Sequence, residues 1–173
     1  MTNRDTLRIV DLREADARAM GGLLRLNNAH ALETSELTSE RLGWMVRNAF
    51  AAWGEARGGA LLLAFDEGAA YASPNFEWFR ARYPRFVYVD RIIVGPERRG
   101  QGVARALYEA LFAAATAAGR PFIACEVNSH PPNPGSDAFH AALGFEVAGQ
   151  GSPAPGKIVR YMRRPVGPVD GAA

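Results

Sequence analysis

Cysteine and lysine are nearly absent from this chain: Cys125 is the only cysteine in 173 residues and Lys157 the only lysine. One cysteine excludes an intrachain disulfide and a cysteine-built zinc site, and no metal is expected. Long apolar runs are missing as well. Charged or polar residues interrupt every stretch before the roughly 20 apolar residues that a spanning helix needs, so no membrane partner is expected. The opening MTNRDTLRIV has no apolar signal core and carries an acid, which leads us to expect a cytoplasmic protein. There is no internal repeat and no linker-like stretch, and the length suits one domain with a real core.

What is present is arginine. Arg80, Arg82, Arg85, Arg91, Arg98, Arg99 and Arg105 crowd one part of the chain. Such a cluster could meet nucleic-acid phosphates, but the net charge is only +2. No nucleic-acid motif accompanies the cluster, so nucleic acid is not the expected partner. The more specific signal is VGPERRGQGVARALYEALFAAATAAG, residues 94–119. Gly100 and Gly102 let the backbone turn sharply and let a ligand approach its amides. The helix that follows offers unpaired N–H groups and the positive end of its dipole. Together these parts predict an anion cradle, most simply for phosphate. A Walker A loop is excluded by the missing Gly-Lys-Ser/Thr, and a dinucleotide fingerprint by Arg105 and by the loop's place in mid-chain.

Around that loop the pattern alternates. LRIVDL (residues 7–12) reads as a strand, and residues 13–30 as a helix with Ala17, Met20, Leu23, Leu24 and Leu26 inward and a weak point at Gly21-Gly22. TSERLGWMVRNAF reads as a second helix, capped by Thr38 or Ser39, with Leu42, Met45 and Val46 inward. Residues 50–55 and 60–66 read as a hairpin. The stretch AAYASPNFEWFRARYP is too aromatic for a plain linker and receives no element. Residues 85–94 form a strand, and the helix from about Gly102 buries Val103, Leu107, Leu111 and Ala114. Then come the strand PFIACEVN, the short helix SDAFHAALGF running into a strand, and the strand KIVRYMRR.

The loop fits Arg/Gln-x-x-Gly-x-Gly/Ala, with Arg99, Gly102 and Ala104 in the marked places. Further on, NPGSDAFHAALGF supplies Asn133 and the Leu143-Gly144-Phe145 of a second signature. In these motifs and in element order, the chain resembles the GCN5-related N-acetyltransferase (GNAT) superfamily over residues 6–164, with residues 165–173 expected to be a disordered tail. The resemblance implies a single-domain α/β fold: a mixed, mostly antiparallel sheet flanked by helices, with a splayed strand pair at the cofactor site. It implies acetyl-CoA as donor and a small-molecule, amino-acid or peptide amine as acceptor. A non-catalytic CoA-binding regulator is the alternative, and the sequence is open to a homodimer.

Carried over residue by residue, the resemblance implies that Ile92, Ile93 and Val94 meet the pantetheine arm through backbone. Arg99, Gly100, Gln101, Gly102, Val103 and Ala104 would cradle the pyrophosphate, and Asn133 would hydrogen-bond the pantetheine side. Arg98 is either solvated or set against the 3′-phosphate. The family's tyrosine position is held here by His140, either a proton donor and shuttle or a helix-face residue. Asp90 is a candidate base or the partner of an arginine; Glu126 is the competing base. Cys125 reads as core. Asn27, Asn28, His30, Glu33, Asn75, Phe76 and Trp78 are the candidate acceptor-side residues, against capping by the two asparagines and core packing by the two aromatics.

Overall fold

In the computed structural model, which describes residues 7–167, a seven-stranded sheet runs in the order β1-β2-β3-β4-β5-β7-β6. The strands are β1 (Ile9–Asp11), β2 (Ala51–Glu55), β3 (Ala60–Asp66), β4 (Val87–Val94), β5 (Phe122–His130), β6 (Glu146–Ala154) and β7 (Lys157–Pro165). The helices are α1 (Ala17–Asn28), α2 (Ala31–Thr34), α3 (Ser39–Asn48), α4 (Pro74–Arg80), α5 (Val103–Ala117) and α6 (Pro134–Ala142). β4 pairs with β5 in parallel, whereas β1–β2, β2–β3, β5–β7 and β6–β7 are antiparallel. The expected mixed, mostly antiparallel α/β architecture is therefore present. The chain forms two compact units, residues 7–64 with 90–110 and residues 65–89 with 111–167.

In the first unit the core is mainly aliphatic: Leu12, Leu23, Leu42, Met45, Val46, Leu61, Leu62, Leu63, Val103 and Leu107 are buried, together with Tyr108. The three inward positions expected in α3 are all among them, and Thr38 is its cap, accepting from the Arg41 N–H. α1 starts later than its pattern suggests. Asp11 caps a 3-10 turn over Leu12–Glu14, and Asp16 then caps α1 by accepting from the Ala19 N–H at 2.8 Å. Ala17, expected inward, sits at this new helix start and is exposed. Gly21-Gly22 lies inside α1 without breaking it.

Aromatic packing dominates the second unit. Phe65 stacks on Tyr71 at 4.2 Å, and Phe76, Phe79, Phe86 and Tyr88 close around one another at 5.7–6.1 Å. α4, the element missing from the sequence reading, supplies Phe76 and Phe79 to this cluster at i, i+3 spacing. Its signal is local: Ser73 accepts from the Phe76 N–H and Pro74 occupies the first turn. The Arg120 guanidinium forks onto Asp66 (2.9 Å) and Glu67 (3.0 Å), and Glu67 also accepts the Phe86 N–H. Of the tail expected to be disordered, Pro165 ends β7 and Val166 is buried. The Val166 carbonyl accepts from the Thr116 hydroxyl, and its N–H donates to the Pro121 carbonyl. Residues 168–173 lie outside the described residues.

Candidate active site

The loop before α5 has the geometry of a cradle. Gly100 and Gly102 take φ of +71° and +77°, a region that L side chains rarely enter. A Cβ built on either would find nothing within 4 Å, so both face open space. The Ala106 N–H bonds back to the Gly102 carbonyl, so the helix begins there; the first-turn amides ahead of that bond have no acceptor within the helix. Val103 is buried, Ala104 is half-buried, and Gln101 is exposed with its amide donating to the Glu97 carbonyl. Arg99 donates to the Val94 carbonyl (3.2 Å) and to His30 Nε2 (3.2 Å). The His30 Nδ1–H donates in turn to the Leu26 carbonyl (3.0 Å), which fixes one neutral tautomer. Ile92 and Val94 are half-buried and Ile93 is buried. The Arg98 side chain is half-buried and donates to Glu55 Oε1 at 3.1 Å.

The two candidate bases stand in different company. Asp90 Oδ2 receives Arg91 Nε at 2.6 Å, and Arg91 Nη1 donates to Asn27 Oδ1 at 2.6 Å; all three side chains are buried. Asn27 Nδ2 continues to the Ser35 carbonyl and to Asn28 Oδ1, while Asn28 brackets Leu37 through both its amide and its carbonyl. The two asparagines are thus struts for residues 35–37 and cap no helix. Asp90 anchors that strut.

Two neutral donors meet Glu126. The Tyr88 hydroxyl donates to Oε2 at 2.7 Å and Asn75 Nδ2 to Oε1 at 2.8 Å. The strand register explains the meeting. Tyr88 pairs with Ala124, which shares a face with Glu126 two residues on, and Glu126 lies directly opposite Tyr161 on β7. The Tyr161 hydroxyl then donates to Asn75 Oδ1 at 3.1 Å, closing a Tyr88–Glu126–Asn75–Tyr161 network. Burial first, and the Glu126 carboxylate second, push the Tyr161 phenol above its ordinary pKa. Trp78 stacks on Tyr161 at 4.2 Å, with the Arg82 guanidinium 4.1 Å from its ring centre. Phe76 is wholly core. Among the acceptor-side candidates, then, Asn75 orients the carboxylate, Trp78 and Phe76 pack, and Glu33 is exposed on α2.

His140 is buried on α6. Its Nδ1–H donates to the Ser136 carbonyl (2.8 Å), and Phe139 and Phe145 present ring edges at 5.4 and 5.2 Å. Burial lowers its pKa, outweighing the Ser136 bond and the Asp137 charge that raise it. At neutral pH the ring is neutral, with that proton committed to a backbone carbonyl. Asn133 caps α6 by accepting from the Ser136 N–H at 3.2 Å. Cys125 is buried, as its alternation indicated. Among the described residues no group of three or more His, Cys, Asp or Glu could hold a metal ion, and no helix is long and apolar enough to cross a membrane.

Sequence reasoning missed Tyr161 and Glu55. Tyr161 could have been found only through the β5–β7 register, which no local pattern carries; Glu55 could have been singled out as an acid ending an otherwise uncharged strand.

A mixed sheet with a glycine-bent loop at the start of a long helix has the geometry that suits an anion. The acetyltransferase (GNAT) family model matches residues 24–145, and the chain belongs to that family; it is an acyltransferase. Among solved structures, the ribosomal-protein-S18-alanine N-acetyltransferase from Escherichia coli is 16% identical, with 96% of this chain and 98% of that chain covered and a TM-score of 0.67. A phosphinothricin acetyltransferase from Sinorhizobium meliloti, in complex with AcCoA, is 21% identical over 97% and 92%, at 0.67. Ard1 from Thermoplasma volcanium is 13% identical over 92% and 97%, at 0.70. At these identities the likeness is one of fold. No curated protein sequence matches the chain.

Proposed function

We propose that the chain transfers an acetyl group from acetyl-CoA directly to the amine of a small molecule, amino acid or peptide N-terminus, with Glu126 as the base. Family membership and the AcCoA complex of the phosphinothricin acetyltransferase support the donor. The residues also fit it: the Cβ-free cradle at Gly100 and Gly102 leaves room for a pyrophosphate over the first-turn amides of α5. When bound, acetyl-CoA supplies an activated acyl carbon whose C–S bond breaks as the C–N bond forms.

The chain's own residues have two tasks. The loop from Arg99 to Ala104 holds the donor's phosphates, mainly through backbone N–H groups. Glu126 takes the proton that an ammonium must lose before its nitrogen can attack. The observation that carries this assignment is the Tyr88–Glu126–Asn75–Tyr161 network. Two neutral donors fix the orientation of the carboxylate, whereas Asp90 is spent on buried Arg91. Tyr88, Asn75 and Tyr161 are positioning residues. His140, neutral, donates to the Ser136 carbonyl within α6 and packs against Phe145.

The test is a calorimetric titration with acetyl-CoA, with ATP and desulfo-CoA as controls, followed by a thiol-release screen of amines and peptides. Binding of acetyl-CoA but not ATP, with turnover on at least one amine, is expected. Binding without turnover on any amine would favour the non-catalytic regulator, and no binding would end the cradle reading.

A further inference from the structure

Arg98 leaves the cradle to bury itself against the end of β2. Glu55, the last residue of that strand, is 3% exposed at its side chain and Arg98 15%. A single bond joins them, from Arg98 Nη2 to Glu55 Oε1; Glu55 Oε2 and Arg98 Nε have no hydrogen-bond partner among the described residues. The backbone runs the same way. The Gly95 N–H donates to the Gly59 carbonyl at 2.9 Å, and the Arg98 N–H to the Gly95 carbonyl at 2.9 Å. Gly59 lies directly under the Arg98 stem, where a Cβ would overlap Arg98 Cγ. Arg99, Gly100, Gln101 and Gly102 follow immediately.

A buried ion pair with two unsatisfied atoms adds little stability over apolar residues of the same size, because desolvation offsets the attraction. What it does supply is a fixed place for the residue at each end. We propose that Glu55 is a positioning residue for donor binding: through Arg98 it pins the start of the 99–102 loop to the β2–β3 hairpin, so that the cradle amides stand ready for phosphate. This rests on reading that loop as the acetyl-CoA phosphate cradle.

The experiment measures acetyl-CoA affinity by calorimetry and steady-state kinetics on the full chain and on Glu55→Gln and Gly59→Ala. Glu55→Gln removes the charge that holds Arg98; Gly59→Ala displaces the Arg98 stem while leaving both charges, and carries the test alone if the first variant does not fold. Both should raise the Kd and the KM for acetyl-CoA by about tenfold, as small displacements of binding groups do, with kcat at saturating donor within about twofold. A role in stability alone would lower Tm and leave the Kd of the folded protein unchanged, which overturns the proposal. Tighter binding by Glu55→Gln overturns it as well, since Arg98 would then be a phosphate ligand withheld by Glu55. If wild type itself does not bind acetyl-CoA, the cradle reading fails and the positioning role goes with it. Wild-type binding with unaltered variants removes the positioning role only.

Discussion

Replacing each candidate base by its amide should produce opposite defects. Glu126→Gln keeps the shape of the side chain but presents one acceptor where two donors converge. Asn75 Nδ2 can keep its acceptor, and the Tyr88 hydroxyl can turn to accept from the new amide. Folding should therefore lose only about 1 kcal/mol, the scale of one net hydrogen bond. The proton acceptor is gone, and general-base catalysis contributes roughly 100- to 10,000-fold, so kcat should fall by at least about 100-fold while acetyl-CoA affinity stays put. Asp90→Asn reverses the pattern. Arg91 is buried, with Asp90 Oδ2 at 2.6 Å and Asn27 Oδ1 at 2.6 Å, and losing the carboxylate strands a charge in the interior. That costs about 3 kcal/mol of stability, with kcat of the folded enzyme held to within a few-fold. Thiol release gives the rates, urea denaturation the stabilities and calorimetry the donor affinity. A Glu126→Gln enzyme with wild-type kcat refutes the assignment, and an Asp90→Asn enzyme that is fully stable but dead hands the base to Asp90.

Gly102→Val should abolish acetyl-CoA binding in a calorimetric titration, because φ of +77° is strained for valine and its side chain would fill the open face of the cradle; unchanged affinity refutes the cradle. His140 is held neutral by burial, so its folded pKa lies below its unfolded one. Its share of stability is therefore full above about pH 6.5 and is lost as pH falls through the lowered folded value. His140→Gln should flatten the acid limb of Tm against pH relative to wild type, and parallel curves would show that burial of the imidazole is not felt. Gly149→Ala should destabilise by roughly 1–3 kcal/mol in urea unfolding, since its Cβ would lie 2.5 Å from Trp78 Cζ2 where that ring stacks on Tyr161.

The parts of this protein legible in its sequence are those written in adjacent residues. The loop before α5 depends on two glycines and a helix start within a few positions, and both glycines take the positive φ that their residue type suggested. α3 followed from Leu42, Met45 and Val46 and the Thr38 cap. Helix α4 was hidden because its apolar residues Phe76 and Phe79 face an aromatic cluster supplied by distant segments, Phe65, Phe86 and Tyr88 among them, and its cap is only a Ser-Pro pair. The site failed to read in the same way. Asn27 and Arg91 are 64 residues apart and Asn75 and Glu126 are 51 apart, so the bonds that decide their roles have no local trace.

The choice between Asp90 and Glu126 shows why side-chain direction alone could not settle the base. Both are carboxylates on central strands, and alternation places Asp90 on the same face of β4 as Tyr88. They differ in the donors seen to meet them, Arg91 on Asp90 and the Tyr88 hydroxyl and Asn75 amide on Glu126. Asp90 Oδ2 is held by the buried Arg91 guanidinium at 2.6 Å, an ion pair that fixes the carboxylate in the interior. Neutral phenol and amide donors, the Tyr88 hydroxyl at 2.7 Å and Asn75 Nδ2 at 2.8 Å, meet the two oxygens of Glu126. Removing the cation should therefore tell the two apart. Arg91→Met would release Asp90 from its pair and leave the Glu126 network untouched. If Glu126 is the base, the variant loses stability and keeps its kcat. If Asp90 is the base, kcat falls as well, since Arg91 is what holds its carboxylate in place.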